Sequence, residues 1–243
     1  MEDFGKKRLK ELISESDSVA LLYDESVNAL PARVSVTTGG LPRYTPDFYW
    51  RESALFVEWY APHMGWALSK HAVQELSQLC FELFARLSRV PMVFVHRDYH
   101  VENLFFLSER KGKARIGMID FQDGCAGHPL YDVVSLATDA RTEVTQTLAA
   151  HIYNRARALV SGFDDETFAA HTALLSWQRN AKILGIFVRL AKRDQKSQYL
   201  HLLPRVEEYL KLALRHQACA PLAAWHDAYT PGWQRKFGQQ HHA

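Results

Sequence analysis

Between residues 93 and 132 the hydrophobic period of the chain changes repeatedly, and no single helix or repeat can accommodate the change. VFVHRDYHVENLFFL runs apolar, then polar, then apolar. A short basic turn follows, and RIGMIDFQDGCAGHPLYD repeats the alternation. Short apolar runs bounded by polar residues and glycine predict strands, here at residues 92–95, 104–107 and 116–119, with residues 108–114 and Gly112 as a connecting turn. Two polar loops, 96–103 and 120–130, therefore hang from strand ends. Loops on a rigid scaffold are where side chains can be presented to a ligand.

The flanks read as helices. Phe4, Leu9, Leu12 and Ile13 give a short amphipathic pattern over residues 5–15, and a second helix from about Leu21 is stopped by Pro31. Residues 31–47 hold three prolines and the Gly39-Gly40 pair and read as a loop. From Phe48 to His63 the chain is aromatic-rich, with Leu55, Phe56, Trp59 and Tyr60 on one helical face. Ser69 can cap a long helix whose stripe of Val73, Leu76, Leu79, Cys80, Leu83, Phe84 and Leu87 is core packing. Helices are also expected over 131–140, over 143–160 up to Gly162, from Asp164 or Asp165 through Leu190, and after Pro204. Pro221 and Pro231 bracket a loose end. The fold class is α+β: one domain over 1–243, mostly helical around a small β-hairpin region, with a catalytic core at about 92–140, a helical subdomain at about 141–216 and a loose tail at 217–243.

The polar loops carry a recognisable spacing. His96-Arg97-Asp98 is followed five residues after the Asp by Asn103. This is the H-R-D-x-x-x-x-N spacing of protein-kinase-type phosphoryl transfer, in which the Asp takes the acceptor proton and the Asn holds Mg²⁺. Asp120-Phe121 then ends an apolar strand, where such enzymes place their second metal-binding Asp. Asp98 is thus the candidate base, and Asn103 and Asp120 are the candidate Mg²⁺ and nucleotide ligands. Gln122 and Asp123, next to the metal Asp, are candidate substrate contacts. His96 is expected to hold the loop by hydrogen bonding, and Arg97 to steady a carboxylate or be solvated. Asp132 is expected to cap the helix opened by Tyr131 and to brace the catalytic loop. A zinc reading of His96 and His100 lacks a third ligand.

Composition narrows the class further. The 243 residues are 47% hydrophobic and 23% charged, enough for a sizeable core, and a net charge of +2 with mixed signs argues against a nucleic-acid-binding stripe. Cys80, Cys125 and Cys219 form no C-x-x-C pair, which suits a reducing cytoplasm. The charged opening MEDFGKKRLKELISESD has no signal-peptide character, and no apolar run reaches the roughly 20 residues of a membrane span. A soluble cytoplasmic protein is the expectation.

HRDYHVENLFF followed by IGMIDFQDGCAGHPLYDVVSL resembles the aminoglycoside phosphotransferase and choline kinase superfamily, and within it the bacterial kinases of cell-wall amino sugars. LLYDESVNAL, LFVEWY, RNAKILGIFVRLAKRD and YLHLLPRVEEYL extend the resemblance over residues 1 to about 215. It implies a protein-kinase-like C-terminal lobe, ATP and Mg²⁺ as cofactors, and an N-acetylated amino sugar phosphorylated at its anomeric hydroxyl. An aminoglycoside or a choline-like alcohol is the alternative acceptor. Gln122 stands where a protein kinase proper wants Gly. The β-rich N-terminal lobe of the family, with its phosphate-covering loop and Lys, has no counterpart in this sequence, and the opening MEDFG resembles the hinge where the second lobe begins. Two readings follow: a longer chain or a partner supplies that lobe, or the fold persists as a non-catalytic binding remnant.

Overall fold

The computed structural model describes residues 3–5, 7–15, 19–31, 36 and 38–238. In chain order its elements are α1 (Leu9–Glu15), α2 (Val19–Ala29), α3 (Pro46–Leu55), a π-helical turn (Phe56–Tyr60), α4 (Ala61–His63), α5 (Lys70–Leu87), β1 (Val93–Val95), β2 (Leu104–Phe106), β3 (Ile116–Met118), β4 (Cys125–Gly127), α6 (Tyr131–Ala137), α7 (Gln146–Leu159), α8 (Asp165–Arg193), α9 (Leu203–Leu214), α10 (Ala220–Tyr229) and α11 (Trp233–Lys236). The chain is α+β, and no described residue before Val93 lies in a named strand. Side-chain caps set several starts: Thr45 accepts from Phe48 N–H, Ser69 from Ala72 N–H and Thr145 from Leu148 N–H. Each such cap contributes about 1 kcal/mol.

Contacts divide the chain into two compact units, residues 1–43 with 90–164 and residues 44–89 with 165–243. The first holds all four strands. β2 and β3 form the expected antiparallel hairpin, with Leu104 opposite Met118 and Phe106 opposite Ile116. A second two-stranded sheet pairs β1 with β4, Val93 opposite Gly127 and Val95 opposite Cys125. Sequence patterning misses β4 because Cys-Ala-Gly has little strand propensity. Main-chain bonding holds it in place, including donation from Ala126 N–H to the Pro42 carbonyl at 2.8 Å. α2 packs on α7, and α6 is buried along its whole length. α1 begins at Leu9 rather than at residue 5, after Gly5 at a φ of 84° that a helix cannot contain.

The second unit is organised on α8, whose buried positions run from Phe168 to Val188. Its neighbours are α9, α3 and the π-helical turn. Glu52 and Lys182 form a buried ion pair at 2.8 Å, and the Tyr44 hydroxyl and Gln178 amide donate to the other Glu52 oxygen. Residues 217–238 are not a loose tail. Pro221 occupies the first turn of α10, where its missing N–H costs nothing, and Trp225 and Trp233 are buried. The last five residues, 239–243, lie outside the described set.

His226 sits among Trp177, Trp225, Trp233 and Phe237 with no exposed surface. Trp177 Nε1–H donates to its Nε2 at 3.3 Å, so Nε2 carries no proton, and Nδ1–H faces the Thr230 hydroxyl at 3.0 Å. Burial lowers its pKa from the ordinary 6.5 to about 3. The unfolded chain therefore binds this proton between those values while the folded chain does not, and stability falls as pH drops below 6.5. At pH 5 the expected loss from this group is about 2 kcal/mol. Urea midpoints at pH 7 and pH 5 measure it. A His226→Phe variant with an equally steep acid slope would exclude His226 as the source.

Candidate functional site

The two polar loops of the first unit are locked together and to one helix. His96 is buried at the end of β1, and its Nε2–H donates to the Ile119 carbonyl at 2.9 Å, which assigns the proton to that nitrogen. The Arg97 guanidinium donates to the Asp123 carbonyl at 2.9 Å. In the other direction, Ile119 N–H donates to the Asn103 carbonyl at 3.1 Å. Asp98, Asn103 and Asp120 thus lie on segments held in register by three bonds. Within the first loop, the Asn103 side-chain amide donates to the Asp98 carbonyl at 3.0 Å and Asn103 N–H to the His100 carbonyl at 2.9 Å.

Asp132 has no exposed surface, and it does not cap its helix: the N-cap position is Leu130, and Asp132 lies in the first turn. Its two carboxylate oxygens instead accept the main-chain N–H groups of His96 at 2.8 Å and Arg97 at 3.0 Å. A charge-assisted pair of this kind fixes the backbone immediately before Asp98. Gln122 and Asp123 are exposed, and the Gln122 amide is turned back onto the Asp120 carboxylate at 2.6 Å. Asp123 enters the network through its main-chain carbonyl.

Non-glycine residues with positive φ among the described residues are Arg97 at 72°, Asp120 at 63° and Gln195 at 56°. Two of the three flank the candidate chemistry. Asp tolerates the left-handed region better than most residues, whereas for Arg it costs on the order of 1 kcal/mol and persists only where surroundings hold it. Here the Asp132 carboxylate does the holding.

Asn103 and Asp120 are the candidate Mg²⁺ ligands. No group of three or more His, Cys, Asp or Glu placed to hold a metal occurs among the described residues. Mg²⁺ takes one or two protein oxygens and completes its shell with phosphates and water. An exposed carboxylate and a carboxamide on adjoining strand ends fit that demand. Next to Asp120, a cavity of about 410 Å³ is lined by Phe94, His96, Ile116, Met118 and Phe121, among others.

Two contributors escaped the sequence reading. Asp139 is fully buried and accepts from Val101 N–H at 3.3 Å and Arg141 N–H at 2.8 Å. Glu102 pairs with Lys10 at 2.5 Å and with Arg141 at 3.1 Å. The available signal was a charged residue inside the apolar run VVSLATDA, seven positions after Asp132.

The chain is 35% identical over 241 residues to an N-acetylmuramate/N-acetylglucosamine kinase of Caulobacter vibrioides, covering 95% of this chain and 66% of that protein. It is 32% identical over 222 residues to the protein of the same name from Pseudomonas aeruginosa, covering 88% and 64%. The chain thus spans slightly less than two thirds of these relatives. Among solved structures, a choline/ethanolamine kinase family protein from Mesorhizobium loti superposes with a TM-score of 0.58 at 10% identity, covering 90% of this chain and 69% of that one, a likeness of fold alone. Among the described residues no helix is long and apolar enough to cross a membrane. The Phosphotransferase enzyme family (APH) matches residues 20–171, more than half of the sequence, and the chain belongs to that family.

Proposed function

We propose that this chain carries the acceptor-activating and metal-holding part of an ATP- and Mg²⁺-dependent phosphotransferase acting on a hydroxyl of an N-acetylated amino sugar. The observation that carries the reading is the mutual locking of the loops bearing Asp98, Asn103 and Asp120. In this reading Asp98 orients the acceptor hydroxyl and receives its proton as the bond to phosphorus forms. The Asn103 carboxamide oxygen and the Asp120 carboxylate hold Mg²⁺, with Gln122 fixing the orientation of that carboxylate. When bound, Mg²⁺ would neutralise phosphate charge. The apolar cavity beside Asp120 offers a surface on which a flat purine can lie. The assigned catalytic core is residues 92–140. Preference for an amino sugar over an aminoglycoside or choline rests on the names of the relatives.

The test is transfer of labelled γ-phosphate from ATP to N-acetylglucosamine, N-acetylmuramate, an aminoglycoside and choline, using the protein isolated from its source. Transfer confined to the two sugars is expected. Transfer to the aminoglycoside or choline would overturn the acceptor assignment. No transfer together with no heat of Mg·ATP binding would overturn the phosphotransferase reading itself.

A further inference from the structure

Loop 96–103 is anchored at both ends by buried carboxylates from a single segment of chain. Asp132, in the first turn of α6, takes the N–H groups of His96 and Arg97, just before Asp98. Asp139, just beyond the end of α6, takes the N–H of Val101, the first residue of the short 3-10 turn that ends at Asn103. α6 ends at Ala137 and Thr138 is non-helical, so the helix separates the two carboxylates along the chain, Asp132 at its start and Asp139 just past its end. The second Asp139 oxygen accepts Arg141 N–H, and Arg141 Nε in turn pairs with Glu102. The turn holding Asn103 is thereby gripped through main chain at Val101 and through side chain at Glu102.

A fully buried carboxylate is costly unless its hydrogen bonds are made. Those made by Asp139 hold its own turn and the segment bearing Asn103. We propose that Asp139 is a positioning residue: through Val101 N–H it fixes the place of Asn103, and helix α6 acts as a spacer setting the separation of the base Asp98 from the metal ligand Asn103. This rests on the phosphotransferase reading above and extends it to a residue that touches neither substrate nor metal. Supporting groups of this kind change metal affinity by roughly 10- to 100-fold when altered.

Two substitutions break the contact from opposite sides. Asp139→Asn keeps the shape, but both partners are N–H donors and an amide has only one acceptor end, so one donor is left facing a donor. Val101→Pro removes the N–H itself. His100, at φ −135° and ψ 164°, already has the extended conformation required before proline, and position 101 opens a 3-10 turn. The readout is Mn²⁺ affinity in the presence of ADP, by electron paramagnetic resonance titration well below the melting temperature. A melting curve checks folding, and hydrogen exchange follows the Val101 amide in the Asp139→Asn protein.

Weakening of Mn²⁺ binding by roughly tenfold or more in each folded variant, with loss of Val101 protection in Asp139→Asn, is the expected result. A folded variant that binds Mn²⁺ as the wild type does would overturn the proposal. If only one variant folds, that one decides. If neither folds, Asp139 serves the fold at large and the proposal also falls. Absence of Mn²⁺·ADP binding in the wild type is a separate outcome: it refutes the phosphotransferase reading and removes the basis of this one.

Discussion

Asp98→Asn is expected to reduce phosphoryl transfer by about 10³-fold while leaving the melting temperature within a few degrees of the wild type. The substitution is nearly isosteric. The main-chain carbonyl of residue 98 accepts from the Asn103 amide at 3.0 Å and from His100 N–H at 3.1 Å, and both bonds survive the change. In the proposed mechanism, what is lost is the acceptor for the proton leaving the attacking hydroxyl. A factor of 10³ corresponds to about 4 kcal/mol in the barrier, within the range of positioned general bases. Steady-state kinetics at saturating ATP provide the measurement, and the loss is expected in kcat rather than KM because the proton is taken up only as the transition state forms. Turnover within tenfold of the wild type would remove Asp98 as the base.

Gly185→Ala tests the packing of the second unit. In an ordinary helix interior this change stabilises by about 1 kcal/mol. In α8 a Cβ at this position would lie 2.3 Å from the carbonyl carbon and oxygen of Leu55 and 2.6 Å from its Cβ. Two of those three atoms are main chain and cannot rotate aside, so α3 and α8 must part. Overpacking of this severity costs about 3 kcal/mol or more, which outweighs the gain in propensity. The melting temperature is expected to fall by roughly 5–10 °C. A variant that melts higher than the wild type would mean that the two helices do not approach this closely.

Much of the β2–β3 hairpin was legible because its residues obey local rules. Leu104–Phe106 and Ile116–Met118 are apolar runs separated by a Gly-containing turn, and they pair as that pattern demands. Ser69 precedes a regular stripe and caps α5. The failures came where a local signal was overruled by distant partners. β4 is held by main-chain bonds to β1 and Pro42 that Cys125, Ala126 and Gly127 do not advertise. Asp132 carries the residue type and position of a cap, but its oxygens are taken by N–H groups 35 and 36 residues earlier. Pro221 reads as one bracket of a loose end until the burial of Trp225 and Trp233 makes a helix start there worthwhile.

The π-helical turn at Phe56–Tyr60, closed by Ala61 N–H donating to the Phe56 carbonyl, changes how distance along this rod must be counted. Glu52 reaches Lys182 on α8, and Tyr60 donates to Glu207 on α9 at 2.5 Å. Eight residues of uninterrupted α-helix would set these two side chains about 80° apart around the axis. The wide turn absorbs one residue of that advance, so the pair behaves as if seven apart, offset by only about 20°. The rod thus carries a phase slip, an added residue with no added rotation. Heptad arithmetic applied across residue 56 therefore assigns the wrong side to everything beyond it.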